Sequence, residues 1–198
     1  MSNIPEYNSI TAIVIGCSVG GLNALRILLQ GLPRNLPVPI IINAHVAADG
    51  TNLLPHLLAN QCCLPVTEAR EREPILPGRV YIAPPNYHLL VEIDKHFALS
   101  VDEHVCYVRP SIDVLFTTAA EAYREHLLGI LLTGANNDGT QGMHTIKALG
   151  GQTIVQDPTT AEADIMPKAV IAMGVADRIL PLSGIANTLR EIATLYDT

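Results

Sequence analysis

Short, wholly apolar runs alternate with stretches in which apolar positions recur every three or four residues. "TAIVIG", "VPIIINAH" and "LLGILLTG" are of the first kind, rich in β-branched residues and bounded by small or polar ones. Runs of that length without a polar position predict strands covered on both faces. After "TAIVIG" the spacing of Leu22, Leu25, Leu28 and Leu29 predicts a helix, which Gly31 and Pro33 stop. After "VPIIINAH" comes a polar break, "AADGT". Thr51 is then expected to cap a short helix through "NLLPHLLANQ", where Pro55 is tolerated because it falls in the first turns. "LPVTEA" reads as a third strand.

The middle changes character. "GRVYIAPPNYHLLVEIDKHFALSV" alternates apolar and polar positions around Pro84, Pro85 and Asn86, which predicts antiparallel hairpins. "RPSIDVLFTTAAEAYREH" predicts a helix with Ser111 as N-cap. The strand "LLGILLTG", the helix "GTQGMHTIKALGG", the strand "QTIVQD" and the helix "MPKAVIAMG" follow. An extended "DRILPL" and a final helix, "IANTLREIATLY", complete the series. The pattern implies an α/β fold: a doubly wound, mostly parallel sheet with an antiparallel hairpin excursion in the middle of the chain. With no repeat or linker, residues 10–194 are expected to form one domain.

Composition narrows the function. Hydrophobic residues are 48% of the 198 and charged residues 16%, so a packed core is expected. The net charge is −7, and the 12 Lys and Arg form no cluster, which argues against a nucleic-acid partner. No apolar run is long enough to predict membrane insertion. Cys17, Cys62, Cys63 and Cys106 form no disulfide framework, and free, mostly buried thiols in a reducing compartment are expected.

The densest stretch is "IGCSVGGLNAL". "VIGC" looks like a lipid-attachment box, but the segment before it has no Lys or Arg and the apolar run is short. "GCSVGG" approximates a dinucleotide loop, yet the second strand ends at Asn43-Ala44-His45 without the acidic residue such a site needs. The third reading is a sharp strand-to-helix turn that exposes Ser18 as a nucleophile, with the Val19 N–H free to donate to a developing oxyanion.

Ligands of doubly wound sheets bind outside the carboxyl ends of the strands. Three strand ends deliver Ser18, His45 and Asp138 there. A serine needs a base to remove its proton, a histidine is that base, and a carboxylate fixes the histidine tautomer. Any one of these residues has an ordinary structural reading: Asp138 before Gly139 is also a turn residue or helix cap. Their joint placement favours catalysis. The other six histidines have no assigned role, and none forms a metal-ligand pattern with a neighbouring Cys or Asp, so no metal or cofactor is expected.

From about Thr11 to Ile192 the sequence resembles the catalytic domain of the chemotaxis protein-glutamate methylesterases of CheB type. The motifs, in order, are "IGCSVGGLNAL", "NAHVA", "LPGRVYIAPPNYHL", "RPSIDVLF", "LLTGANNDGTQGM" and "VQDPTTAEADIMPKAVI". The resemblance implies a cytoplasmic serine esterase acting on glutamyl γ-methyl esters in the cytoplasmic domain of methyl-accepting chemoreceptors, with deamidation of receptor glutamines in many members. Ser18 is then the nucleophile, His45 the general base and acid, and Asp138 the orienting acid. Two departures stand out. Val19 replaces the family's usual Thr, and Gly134-Ala135-Asn136 replaces Gly-Met-Gly, whose Met N–H is an oxyanion donor and whose side chain packs at the site. Ala135 keeps the donor and loses the packing, while Asn136 suits a glycine position of positive φ better than most residues. The family's usual N-terminal receiver domain has no counterpart in this sequence, which leads to the expectation of a stand-alone esterase, constitutive or controlled by a separate regulatory protein. The alternatives are a receptor-docking module of little or no activity and an esterase for another substrate.

Overall fold

The computed structural model describes residues 7–45 and 52–195. Seven strands form one parallel sheet: β1 (Ala12–Cys17), β2 (Ile40–Ala44), β3 (Val66–Glu68), β4 (Val80–Ile82), β7 (Leu127–Leu131), β8 (Gln152–Gln156) and β9 (Arg178–Leu180), in the order β3-β4-β2-β1-β7-β8-β9. β5 (His88–Val91) and β6 (Phe97–Ser100) make a separate antiparallel pair. The mostly parallel sheet and its antiparallel excursion are as the hydrophobic pattern implies.

Alternate side chains along each strand feed two cores. Ile13, Ile15, Ile40, Ile42 and Ile130 face α1 (Gly21–Leu29), α2 (Leu54–Ala59) and α6 (Leu182–Thr194). Val14, Ile41, Tyr81, Leu131 and Val155 face α3 (Ile112–Tyr123), α4 (Thr140–Ala148), α5 (Ile165–Met173) and the β5–β6 hairpin. This two-sided burial is why β1 and β7 carry no polar side chain, while β2 and β8 bury Asn43, Thr153 and Gln156.

Several expectations change. "VYI" is not part of a hairpin: β4 is fully buried and pairs in parallel with β2 and β3, so the antiparallel stretch begins only at His88. Leu22 is 38% exposed, while Leu25, Leu28 and Leu29 are buried. Of the four free cysteines only Cys17 is fully buried; Cys63 and Cys106 are exposed. The predicted Thr51 cap lies outside the described residues; within them, the Asn52 side chain accepts the Leu54 N–H at 3.3 Å. No helix among the described residues is long and apolar enough to cross a membrane.

β1 is the centre of the winding. The chain fills one side of it with β2, β4 and β3 and the other with β7, β8 and β9. The connections leaving β1, β2 and β7 diverge there and leave a crevice at their carboxyl ends.

Candidate active site

Ser18 follows β1 directly. Its N–H donates to the Thr133 carbonyl at 2.9 Å, which ties the turn to the loop after β7. Its own carbonyl accepts the Gly21 N–H at 2.8 Å as the chain enters α1. Gly20, at φ 79°, makes the left-handed step that joins strand to helix, a conformation that side chains resist. His45 follows β2, and its N–H donates to the Cys17 carbonyl at 3.1 Å, so its backbone is held beside that of Ser18.

Asp138 lies in the loop between β7 and α4 and is fully buried. Oδ1 accepts the Ser111 hydroxyl at 2.8 Å and the Asp113 N–H at 3.0 Å; Oδ2 accepts the Ile112 N–H at 2.6 Å. The carboxylate therefore occupies the N-terminus of α3, where free N–H groups and the helix dipole favour an anion. Burial pushes its pKa up, but the bonds from His45, the Asp113 and Ile112 N–H groups and Ser111 outweigh burial and hold it below the usual carboxylate range.

The three side chains meet. His45 Nε2 lies 2.8 Å from Asp138 Oδ2, and His45 Nδ1 lies 3.2 Å from Ser18 Oγ. Because Asp138 is held as a carboxylate, Nε2 carries the proton and donates it. The Nδ1 lone pair then faces the Ser18 hydroxyl. The imidazole is 12% exposed, which leaves one edge open to a substrate.

Asn136 is a second neighbour of that lone pair. Its Oδ1 accepts the Asp138 N–H at 3.1 Å, and its Nδ2 stands 3.5 Å from His45 Nδ1. It is not among the residues of positive φ, so the asparagine needs no glycine-like backbone here. Val19 and Ala135 are exposed, and their N–H groups make no hydrogen bond among the described residues. Met166, from the first turn of α5, packs against Gly134, and Ser18 Cβ lies close to the same glycine.

Thr133, from the last residues of "LLTG", carries no catalytic signature in the sequence, yet it stitches the site. Its Oγ1 donates to the Val19 carbonyl at 2.8 Å and accepts the Ala163 N–H at 2.9 Å. Its own N–H donates to the Gln156 side chain at 2.9 Å. His88, given no role from sequence, is buried beneath Ser111: its Nδ1 accepts the Ser111 N–H at 3.1 Å and its Nε2 donates to the Glu103 carbonyl at 3.0 Å. Both lie inside motifs that carry the resemblance, "LLTGANNDGTQGM" and "LPGRVYIAPPNYHL", but neither carries a chemical signal of its own.

Two depressions flank His45. A cleft of about 330 Å³ contains Ser18, Asn23, Arg26, Leu54 and Glu162, and a smaller one of about 210 Å³ contains Asn86, His104, Tyr107 and Arg109. Cys106, Asp113 and Asp138 each bring one potential metal ligand within 4.8 Å of the others. The two carboxylates there already accept helix N–H groups, and burial raises the Cys106 pKa, which suits a metal poorly.

The family model described as CheB methylesterase matches residues 13–189. A putative protein-glutamate methylesterase/protein-glutamine glutaminase of Leptospira interrogans is 49% identical over 176 residues, covering 89% of this chain and 91% of that protein. A protein-glutamate methylesterase/protein-glutamine glutaminase of Anaeromyxobacter dehalogenans is 40% identical over 183 residues, covering 92% of this chain and 53% of that longer protein. The crystal structure of the Thermotoga maritima CheB methylesterase catalytic domain superposes with a TM-score of 0.88 at 36% identity, covering 92% of this chain and 98% of that one.

Proposed function

The chain belongs to the CheB methylesterase family of ester hydrolases, and from that premise we propose that it hydrolyses glutamyl γ-methyl esters on the cytoplasmic domain of chemoreceptors, with residues 10–194 as one catalytic unit. Ser18 is the nucleophile, His45 the base and Asp138 the orienting acid. The observation that carries this reading is the continuous contact from Ser18 Oγ through the imidazole to the Asp138 carboxylate, at 3.2 and 2.8 Å.

His45 Nδ1 takes the Ser18 proton as Oγ attacks the ester carbonyl. The imidazolium is stabilised by Asp138. The negative oxygen of the tetrahedral intermediate is met by the N–H groups of Val19 and Ala135, which have no other partner among the described residues. Collapse expels methanol, which leaves with the proton from Nδ1, and an acyl-enzyme on Ser18 remains. Water, deprotonated by His45, attacks the acyl group and releases a glutamate side chain and free Ser18. With a glutamine substrate the same steps release ammonia in place of methanol, and the names of the relatives support this second activity.

Replacing Ser18 by Ala tests the assignment. The variant should release methanol from methylated receptor about 10⁶-fold more slowly, as when other triads lose their nucleophile. A variant that works at the parent rate would refute it.

A further inference from the structure

α3 and α4 are capped crosswise. Asp138, just before α4, accepts N–H groups from the first turn of α3. Asp113, in the first turn of α3, accepts the Gly142 N–H of α4 at 2.7 Å through Oδ1. α4 has no side-chain cap of its own: its N-cap is Gly139, which has no side chain to offer. The helices also touch closely at this point. A Cβ on Gly142 would lie 2.4 Å from Phe116 Cβ and 3.3 Å from the Asp113 backbone, so a glycine is required for Asp113 to reach the α4 N–H groups.

We infer that Asp113 is a positioning residue of the esterase: by accepting the Gly142 N–H it fixes the start of α4, and with it the place from which Asp138 orients His45. The inference rests on the proposed function and deepens it. Asp113 bonds to neither Ser18 nor His45, so it acts only through Asp138. Two carboxylates this close repel. What Asp113 supplies is an acceptor at one point in space. Burial, together with the neighbouring Asp138 charge, pushes its carboxyl up to about 6 against the pull of the Gly142 N–H. The acceptor is thus the useful part of the side chain and the charge the costly part.

Three variants separate position from charge. Asp113→Asn keeps an acceptor at the same place and removes the charge. Asp113→Glu keeps the charge and moves the acceptor outward by a methylene. Asp113→Ala removes both. Two readouts apply: kcat and KM on methylated receptor, and the low-field proton resonance of the His45 Nε2–H···Asp138 bond. Glu and Ala should lower kcat by about tenfold to a hundredfold with KM within about twofold, the size expected for a misplacement of about 1 Å. Both should shift or broaden the resonance. Asn should restore kcat to within about threefold and keep the resonance. If Glu retains activity and Asn loses it, or if all three match the parent in both readouts, the inference is overturned. Should Ala fail to fold, the comparison of Asn with Glu decides alone. Should the parent protein itself fail to demethylate receptors, the proposed function falls, while the resonance in the variants still decides the role of Asp113.

Discussion

Ser111 donates its hydroxyl to Asp138 at 2.8 Å while the same oxygen accepts the Val114 N–H at 3.4 Å. One side chain therefore caps α3 and holds the buried carboxylate that caps it from outside. Ser111→Ala removes both bonds. Loss of an N-cap alone costs about 1 kcal/mol of stability, which a urea melt will show. Methanol release should also slow by about tenfold or more, because Asp138 loses a charge-assisted partner beside His45.

Asp138→Asn preserves shape and removes charge. Each Asp138 oxygen accepts an α3 N–H, so the NH2 of an amide opposes one of them in either orientation, and when turned toward His45 Nε2 it favours the tautomer that carries the proton on Nδ1. A base protonated on the side facing Ser18 is useless. Single-turnover kinetics should show a loss of about 10⁴-fold, as when the acid of another triad is amidated. A loss below tenfold would mean that the tautomer is fixed by something else.

Thr133 joins three segments through one hydroxyl. Thr133→Val keeps the volume and leaves the Ala163 N–H and the Val19 carbonyl without that partner. The cost should be about 1–3 kcal/mol by denaturant melting. It should come with a fall in kcat, since the Val19 carbonyl belongs to the turn that carries Ser18. Thr133→Ser should recover most of both.

The buried carboxylates make opposite contributions to acid stability. Asp113 is raised from 3.8 to about 6, so its favourable contribution is fully present below the unfolded value and is lost as the pH rises through about 6. Asp138 is lowered, so its contribution is present above the unfolded value and is lost as the pH falls through its folded value. Asp113→Asn removes the first effect alone. Between about pH 4 and pH 7 the parent should lose roughly 2–3 kcal/mol relative to this variant, measured by paired urea melts. A constant difference across that range would show that Asp113 does not titrate there.

Much of this was legible in the sequence, for physical reasons. Strands covered on both faces carry mostly apolar side chains, so "TAIVIG" and "LLGILLTG" declare themselves. Ser18 and His45 stand next to strand ends, and Asp138 in the loop that leaves β7, where a parallel sheet must leave its crevice. β4 escapes the hydrophobic pattern because Tyr81 stands between Val80 and Ile82. Its ring is buried against Phe97, with centroids 5.0 Å apart, and its hydroxyl accepts the Leu76 N–H. A satisfied polar tip in a core mimics the alternation of a hairpin. Thr133, His88 and Asp113 were invisible because their partners are backbone groups, and backbone groups leave no trace in residue identity. Asn136 was noticed, but as a backbone substitute; its structural partners are the Asp138 N–H and the neighbourhood of His45 Nδ1.

β1 pairs with β2, its near neighbour in the chain, and with β7, which comes from the far half. Ser18 and His45 can thus come together while synthesis is still in its first third, but Asp138 joins them only when β7 has docked on the other edge of β1. Long-range parallel pairing of this kind forms slowly. The half-built sheet holds a serine beside a histidine that nothing yet orients. Until that edge is closed the base lacks the acid that orients it, so activity reports on a contact between residues 93 positions apart in the chain.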